Sequence, residues 1–331
     1  MWMFADRYVG AVGLGCMGMS WAYGESERDD RESIALIKEA VELGVTFLDT
    51  SDVYGAGHNE QLVGRALDGV RDRVVLGSKV GLVADPSTRS MVRDGTPKHV
   101  REAVEASLDR LGTDVIDLYY LHRIDPEVPL AETWGAMSEL VAEGKVRRLG
   151  LSEVTVAQAE EAHTVHPVAA IQSELSLWTR DALGGKTGDG AAGDAGVSGD
   201  GPGDVVGWCA ANGAAFVPFS PLGRGFLTGA VTAANFEDGD FRRGLPRFQE
   251  GVLEQNLHVV EVARTVAERH GATPAQIAIA WTLAQGEHVI PIPGTKKRKY
   301  LHENTQAAGV DLTEIDLAEL DAVPPPVGAR Y

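Results

Sequence analysis

The chain has 331 residues, of which 44% are hydrophobic, and its 30 basic and 48 acidic side chains give a formal net charge of −18. This negative charge disfavours binding to nucleic acids and to anionic membranes, except through a local basic patch. With only Cys16 and Cys209, no secretory leader pattern and no apolar run of membrane-spanning length, we expect a soluble protein of the reducing cytoplasm.

Short apolar strands alternate with helices through the first half of the chain. Residues 8–16 are predicted to form the first strand, and the glycine pattern at 13–18 is not a dinucleotide fingerprint because no helix opens at these glycines. Apolar residues at helical spacing predict a helix over 30–43. The other predicted strands are 45–48, 74–76 and 115–121, and the other predicted helices are 59–67 and 96–111.

The second half of the chain continues this alternation and is interrupted once. Residues 181–203 are rich in Gly, Ala and Asp, and they contain too few large apolar side chains to offset the entropy cost of ordering. We interpret this segment as a flexible low-complexity loop insertion, since the pattern resumes after it. The predicted strands are 146–151, 169–171, 215–219 and 289–292, and the predicted helices are 130–142, 156–163, 205–211, 254–270, 274–285, 298–307 and 313–320.

Eight strands that alternate with helices predict an α/β fold built from parallel βαβ units. Over this length a (β/α)8 TIM barrel fits better than an open doubly wound sheet, so we predict a single domain over residues 1–331. In such barrels the C-terminal ends of the strands carry the chemistry. Five of the predicted strands have a polar residue at this end: Asp49, Lys79, His122, Ser152 and Gln172.

Tyr54 follows one of these strands and can act with its neighbours as a proton donor. A tyrosine has an ordinary pKa of about 10, which is too high for easy proton donation at neutral pH. A nearby Lys79 ammonium would lower that pKa, Asp49 would hold Lys79 in place, and His122 would orient a substrate oxygen. This set suits carbonyl reduction, in which a hydride reaches carbon and a proton reaches oxygen. Because protein groups do not donate hydride, a cofactor is implied.

Two later segments suit a bound nucleotide. Residues 220–225, which begin with Ser220, form a glycine-rich loop whose backbone N–H groups could approach a pyrophosphate. Residues 296–299 place four cations at a helix start, which favours a bound anion such as a nucleotide phosphate, although a solvated basic turn is the alternative. The sequence has no HxxxH, HExxH or CxxC pattern, so we predict no metal site.

Motifs over nearly the whole chain resemble the aldo-keto reductase superfamily, and the opening motif is most similar to its microbial and plant branch. These motifs are GLGCMGMS at 13–20, FLDTSDVYG at 47–55, GSKV at 77–80, DLYYLHR at 117–123, GLSE at 150–153, IQSE at 171–174, residues 218–229, and IPIPGTK at 290–296 with Glu303 and Asn304.

The resemblance implies NADPH-dependent, metal-free reduction of an aldehyde or ketone, a small-molecule carbonyl substrate. It implies that Tyr54 is the general acid, that Asp49 and Lys79 tune it, and that His122 orients the carbonyl. The implied NADPH/NADP+ contacts are Ser152 and Gln172 at the nicotinamide carboxamide, Phe219 at the ring-stacking position, Pro221, Leu222, Gly223 and Gly225 at the pyrophosphate, Gly294, Thr295 and Lys296 at the adenosine 2′-phosphate, and Glu303 and Asn304 at the adenine.

The sequence departs from the family pattern outside the four catalytic positions. Glu153 stands where many relatives have Asn, Phe219 lacks the hydroxyl of the usual tyrosine, and Leu175 replaces a common aromatic residue. Residues 1–8 leave room for only a shortened form of the N-terminal hairpin that caps the barrel in this family.

The same superfamily supplies an alternative function. Potassium-channel β subunits bind NADPH and a channel, so a nucleotide-binding regulatory subunit of that kind is the main alternative to a reductase. A metal-dependent barrel hydrolase or lyase is a weaker one, because the sequence shows no metal-ligand spacing.

Overall fold

The computed structural model describes residues 2–4, 7–84, 91–184, 203–231, 236 and 240–331. Residues 185–202, the larger part of the insertion predicted at 181–203, lie outside the described residues, so the interpretation of that segment as a flexible loop stays a prediction. No helix in the described part of the chain is both long enough and apolar enough to cross a membrane.

The strands of the described chain form one large parallel sheet and two small antiparallel hairpins. Their bounds are β1 (Trp2–Phe4), β2 (Arg7–Val9), β3 (Leu14–Gly15), β4 (Phe47–Asp49), β5 (Val75–Val80), β6 (Leu82–Ala84), β7 (Met91–Arg93), β8 (Ile116–Leu121), β9 (Val146–Ser152), β10 (Ala170–Glu174) and β11 (Ala215–Phe219). The parallel sheet has the order β3–β4–β5–β8–β9–β10–β11, and β1–β2 and β6–β7 are the hairpins. Every residue of β5 and β8 is buried, which is typical of parallel strands covered on both faces.

The segment predicted as the eighth strand, 289–292, closes this sheet into a barrel. Val289 forms a parallel bridge with Phe216 on β11, and Gly294 forms one with Gly15 on β3. These are isolated bridges, so the segment is not the regular strand that was predicted. Pro291 within it and Pro293 directly after it lack the N–H groups that a continuous ladder needs. The predicted (β/α)8 barrel is confirmed, because the two bridges join the first and last strands of the sheet.

Helices alternate with the barrel strands, and their positions agree with the sequence prediction to within a few residues. The predicted helix at 254–270 is divided at Asn256, and a capping box between Thr273 and Gln276 begins the next one. The bounds are α1 (Asp30–Glu42), α2 (His58–Leu67), α3 (Pro97–Leu111), α4 (Leu130–Ala142), α5 (Val156–Val165), α6 (Val205–Ala211), α7 (Val252–Gln255), α8 (Leu257–His270), α9 (Pro274–Leu283), α10 (Arg298–Gln306) and α11 (Glu314–Asp321).

The strand predicted at 8–16 is divided in the structure, which corrects the prediction. β2 pairs antiparallel with β1, and only β3 enters the parallel sheet. Gly10 lies at the break, where a Cβ atom would stand 2.5 Å from the carbonyl oxygen of Gly44. The chain can bend there because glycine permits this close approach of two backbones. A short N-terminal hairpin of two three-residue strands is therefore present.

Most buried apolar side chains of the described residues fall into two clusters, which form separate layers of the barrel. Leu76 and Tyr119 belong to the larger cluster, which includes the buried faces of the helices. Val75 and Leu118 belong to the smaller cluster, which draws its residues from the strands around the barrel interior. Neighbouring residues of one strand thus fall in different layers, because side chains alternate in direction along a strand.

Arg330 brings a cation to the ends of β9 and β10, where two acidic side chains are buried. It forms an ion pair with Glu153, and its Nε lies 3.8 Å from Glu174 Oε2. Arg224 donates a hydrogen bond of 2.7 Å to the same Glu174 oxygen. Burial is the largest single effect and raises the pKa of the Glu153 carboxyl, but the charges of Arg330 and Arg123, together with hydrogen bonds from the Glu174 N–H and from Arg330, outweigh it and hold that pKa below its ordinary value.

The close contact between α2 and α3 generates a stability prediction. A Cβ atom at Gly64 would stand 2.6 Å from the carbonyl oxygen of Leu111, whereas one at Gly135 in α4 would meet nothing within 4 Å. We expect Gly64→Ala to lower the free energy of unfolding by about 1–3 kcal/mol, because α2 must move away from α3. Gly135→Ala is the control and should raise it by about 0.5–1 kcal/mol through helix propensity. Denaturant unfolding measures both, and a stabilised Gly64→Ala protein would contradict the contact.

The Arg330 ion pair generates a second stability prediction. Arg330→Ala removes the nearest cation from buried Glu153, so we expect the free energy of unfolding at neutral pH to fall by about 3 kcal/mol. The Glu153 contribution is present above the unfolded carboxyl pKa of about 4.3 and is lost as pH falls through the lower folded value. The difference from the native protein should therefore shrink in acid. Adding Glu153→Gln should recover part of the loss, and a pH-independent difference would exclude this origin.

Candidate active site

Asp49, Lys79 and Tyr54 meet at the C-terminal end of the barrel, as the sequence predicts. Parallel pairing places Asp49 beside Gly77, so Lys79 lies two residues farther along β5 and past the end of β4. The Lys79 Nζ donates hydrogen bonds of 2.6 Å to Asp49 Oδ2 and 3.1 Å to Tyr54 Oη. A third bond of 2.9 Å goes to the Thr50 carbonyl oxygen. The buried ammonium thus has an acceptor for each of its three N–H groups.

Burial and charge oppose each other in this cluster. Burial favours the neutral form of Lys79, but the Asp49 carboxylate and the Tyr54 phenol outweigh it and raise the pKa of the ammonium. For Tyr54, burial is the largest effect and raises the pKa above its ordinary value, while Lys79 acts in the opposite direction. The sequence predicted this contribution of Lys79, but the net decrease it predicted for the pKa of Tyr54 is wrong.

Gln172 binds the free oxygen of the same carboxylate. Its Nε2 donates a hydrogen bond of 2.8 Å to Asp49 Oδ1, while Oδ2 accepts from Lys79. Asp49 therefore uses both oxygens inside the protein and cannot rotate without breaking one of these bonds. The sequence placed Gln172 at the end of its strand but did not reveal this contact, which joins residues from opposite parts of the chain.

His122 lies directly after β8 and faces the tyrosine. The His122 and Tyr54 rings pack edge to face with their centroids 5.9 Å apart, and His122 Nδ1 lies 3.3 Å from Ser51 Oγ. Burial is the main reason why the pKa of His122 lies well below its ordinary value, and the positive charges of Lys79 and Arg123 lower it further. His122 is therefore a neutral imidazole at physiological pH.

Trp21 and Arg123 border this cluster, although the sequence did not single them out. The Trp21 ring stacks on Tyr54 with centroids 6.0 Å apart and is partly exposed. Arg123 donates a hydrogen bond of 2.6 Å to the His122 carbonyl oxygen and one of 3.2 Å to Ser152 Oγ. The available signals were that Trp21 directly follows the GLGCMGMS motif and that Arg123 is the last residue of the DLYYLHR motif.

Ser152, the last residue of β9, lies beside Gln172, which is the middle residue of β10 and does not end its strand as the sequence predicted. The register of the two strands pairs these residues directly, and both are buried. Glu153 follows with a left-handed φ of 54°, and its N–H donates a hydrogen bond of 2.9 Å to the Gln172 carbonyl oxygen. The departure from Asn at this position is matched by Arg330, which pairs with the Glu153 carboxylate.

The glycine-rich loop after β11 is folded into tight turns. Ser220 and Arg224 have left-handed φ angles of 51° and 57°, which are uncommon for residues with a Cβ atom. The N–H groups of Gly223 and Gly225 donate to the carbonyl oxygens of Ser220 and Leu222 at 2.8 and 3.0 Å. Two of the N–H groups predicted to meet a pyrophosphate are thus used within the loop itself. Phe219 ends β11 and is only partly buried.

The basic segment at 296–299 is largely paired with acidic residues and carbonyl groups. Lys296 Nζ donates hydrogen bonds of 3.1 and 2.8 Å to the carbonyl oxygens of Tyr23 and Gly24, and it lies 3.7 Å from Glu27 Oε2. Lys297 Nζ lies 3.0 Å from the other Glu27 oxygen. The segment is therefore bound to the loop that precedes α1, and not only exposed to solvent.

The remaining predicted cofactor residues surround this segment. The backbone of Gly294 touches that of Gly15, where a Cβ atom would stand 2.9 Å from the Gly15 carbonyl oxygen. Thr295 Oγ1 accepts a hydrogen bond of 3.0 Å from the Lys297 N–H. Glu303 accepts one of 2.7 Å from the Thr273 hydroxyl, and Asn304 is buried on α10. Within the described residues, no group of three or more His, Cys, Asp or Glu side chains could hold a metal ion.

Comparisons with known proteins agree with this geometry. The aldo/keto reductase family model matches residues 11–324. A probable aldo-keto reductase 1 of Glycine max is 42% identical over 327 residues, which is 98% of this chain and 88% of the relative.

Solved structures show the same architecture. A glycerol dehydrogenase of Gluconobacter oxydans is 28% identical with a TM-score of 0.83, and the match covers 98% of this chain and 96% of that one. An aldo-keto reductase of Klebsiella pneumoniae in complex with NADPH is 27% identical with a TM-score of 0.70, and the match covers 98% and 95% of the two chains. The chain therefore belongs to the aldo/keto reductase family.

Proposed function

We propose that this protein reduces an aldehyde or ketone to the alcohol with NADPH, and that Tyr54 is the general acid. The observation that carries the proposal is the buried Lys79 ammonium, which lies 3.1 Å from the Tyr54 oxygen and 2.6 Å from Asp49. Groups with perturbed pKa values cluster at functional sites, and a cation beside an un-ionised phenol suits proton donation. The Klebsiella pneumoniae relative in complex with NADPH supports the choice of cofactor.

The opposing pKa effects suit a general acid. Because burial raises the pKa of Tyr54, the phenol is fully protonated at neutral pH and has a proton to give. Because Asp49 raises the pKa of Lys79, the ammonium keeps its charge and stabilises the phenolate that forms when the proton leaves. The neutral His122 imidazole can donate a hydrogen bond to the carbonyl oxygen as negative charge develops there.

The residues at the strand ends fit a bound dinucleotide. When bound, NADPH supplies the hydride that the protein cannot provide. Ser152 and Gln172 present two neighbouring polar side chains that suit a carboxamide, and the Gln172 bond to Asp49 would connect that contact with the proton donor. Lys296 would provide a cation for the 2′-phosphate, and the loop after Phe219 would hold the pyrophosphate through N–H groups other than those of Gly223 and Gly225. The Gly294, Thr295, Glu303 and Asn304 contacts stay predictions.

Removing the phenol tests the assignment of the acid. We expect Tyr54→Phe to lower the turnover of carbonyl substrates at least about a hundredfold, because the proton must then come from water. NADPH affinity, measured by quenching of protein fluorescence, should be nearly unchanged. Tyr8→Phe is the control, since Tyr8 is an exposed phenol of β2 in the N-terminal hairpin.

A panel of aldehydes and ketones, followed by loss of NADPH absorbance, provides the turnover measurement. Near-normal turnover by Tyr54→Phe would show that another group donates the proton. Tight NADPH binding by the native protein without turnover of any carbonyl would favour the regulatory-subunit alternative instead.

The pairing of Lys296 generates a prediction about cofactor choice. We expect Lys296→Ala to lower the affinity for NADPH at least about tenfold, because a charged hydrogen bond to the 2′-phosphate is lost. The affinity for NADH, which lacks this phosphate, should change much less. Glu27 pairs with Lys296 and Lys297 and so competes with a bound phosphate for these cations. Glu27→Gln should therefore raise the affinity for NADPH by about two- to threefold. Titrations with both nucleotides test this, and an equal loss of NADPH and NADH affinity would rule out Lys296 as the phosphate contact.

A further inference from the structure

A chain of hydrogen bonds runs from Asp52 through Ser51 to His122. The Ser51 hydroxyl lies 3.0 Å from Asp52 Oδ1, to which it can donate, and 3.3 Å from His122 Nδ1. Ser51 is fully buried, so water cannot replace either bond. The Ser51 hydroxyl has one proton, and it can therefore donate to Asp52 or to His122 but not to both.

The direction of this chain decides which nitrogen of His122 carries a proton. A neutral imidazole has one N–H group, on either Nδ1 or Nε2. Nδ1 faces Ser51, so Nε2 is the ring nitrogen left for a substrate oxygen, and it makes no hydrogen bond to another described residue. Only the tautomer with the proton on Nε2 can donate to a carbonyl.

Two arrangements follow from the charge of Asp52. When Asp52 is ionised, the Ser51 hydroxyl donates to the carboxylate, and its oxygen then accepts from His122 Nδ1–H. Nε2 is unprotonated in that arrangement and repels a carbonyl oxygen. When Asp52 is protonated, its carboxyl O–H can donate to Ser51, the Ser51 hydroxyl donates to Nδ1, and the proton of the imidazole lies on Nε2.

The surroundings of Asp52 place this change near neutral pH. Burial is the main effect, and the Glu60 carboxylate of α2 adds to it, so that the pKa of Asp52 rises to about 7. Arg110 of α3 lowers this pKa, as do the bonds from the Ser51 hydroxyl and the Val53 N–H. Glu60 is itself bound by Arg110 at 2.6 Å, which limits the effect of the arginine on Asp52.

The groups around His122 leave its own charge fixed over the same range. Burial keeps the imidazole neutral, and the positive charges of Lys79 on β5 and Arg123 after β8 add to this effect. Tyr54 packs against the ring and stays protonated, since its pKa is raised above the ordinary value. Of Asp52, Ser51 and His122, Asp52 is therefore the residue whose pKa, raised to about 7, lies near neutral pH.

We propose that Asp52 is a positioning residue that sets, through Ser51, which ring nitrogen of His122 is protonated. The proposal rests on the proposed role of His122 as a hydrogen-bond donor to the carbonyl. It states that reduction is fastest when Asp52 is protonated and slows as Asp52 ionises. Asp52 acts through two other side chains and touches neither substrate nor cofactor.

The pH dependence of kcat/KM for carbonyl reduction is the first test. We expect the native value to fall about tenfold between pH 6 and pH 8, as the protonated fraction of a group with a pKa of about 7 falls. Asp52→Asn should change less than twofold over this range, because its amide N–H can donate to Ser51 at every pH. Ser51→Ala should also lose the pH dependence. A native profile that is flat, or that persists in Asp52→Asn, would overturn the proposal.

The tautomer of His122 is the second test, and it does not need activity. Long-range proton–nitrogen NMR spectra of protein labelled with ¹⁵N-histidine, assigned with His122→Asn, distinguish the two tautomers. We expect the proton on Nε2 at pH 6 and on Nδ1 at pH 8 in the native protein, and on Nε2 at both values in Asp52→Asn. One unchanging native tautomer would overturn the inference even if the protein reduces carbonyls. A shifting tautomer without reduction of any carbonyl would overturn the proposed function alone.

Discussion

The buried pair between Lys79 and Asp49 is the interaction on which the site depends. An ammonium loses most of its hydration at such a place, and the carboxylate 2.6 Å away stabilises its charge. The pair also fixes direction, since the remaining N–H groups of Lys79 point at the Thr50 carbonyl oxygen and at the Tyr54 hydroxyl. Barrel closure supplies the geometry, because it brings the ends of neighbouring parallel strands to one rim.

Burial has two opposite effects on the groups around the Lys79–Asp49 pair. It keeps the Tyr54 phenol protonated and the His122 imidazole neutral, so both have a proton to share with an oxygen. It also favours the neutral form of Lys79, an effect that the Asp49 carboxylate opposes. The site therefore combines neutral donors with one protected cation, which is the combination that stabilises a developing oxyanion.

Much of the fold could be predicted from sequence because its signals are local. The bounds of α4 and α6 follow from apolar spacing alone, and strand ends located Asp49 and Lys79. The break at Gly10 could not be predicted, since it depends on contact with a distant backbone. Bonds across the barrel were also missed: Gln172 to Asp49 spans 123 residues, and His122 to Ser51 spans 71. The net direction of a pKa shift depends on how deeply the group is buried, and the sequence alone does not give that burial.

The Gln172 side chain limits how this position can change during evolution. Its amide N–H meets a carboxylate that already holds Lys79. A glutamate there would oppose Asp49 with a second negative charge, and a hydrophobic residue would leave one acidic oxygen buried without a donor. Position 172 therefore accepts a neutral hydrogen-bond donor of similar length. This electrostatic constraint on its substitution holds even without a bound ligand.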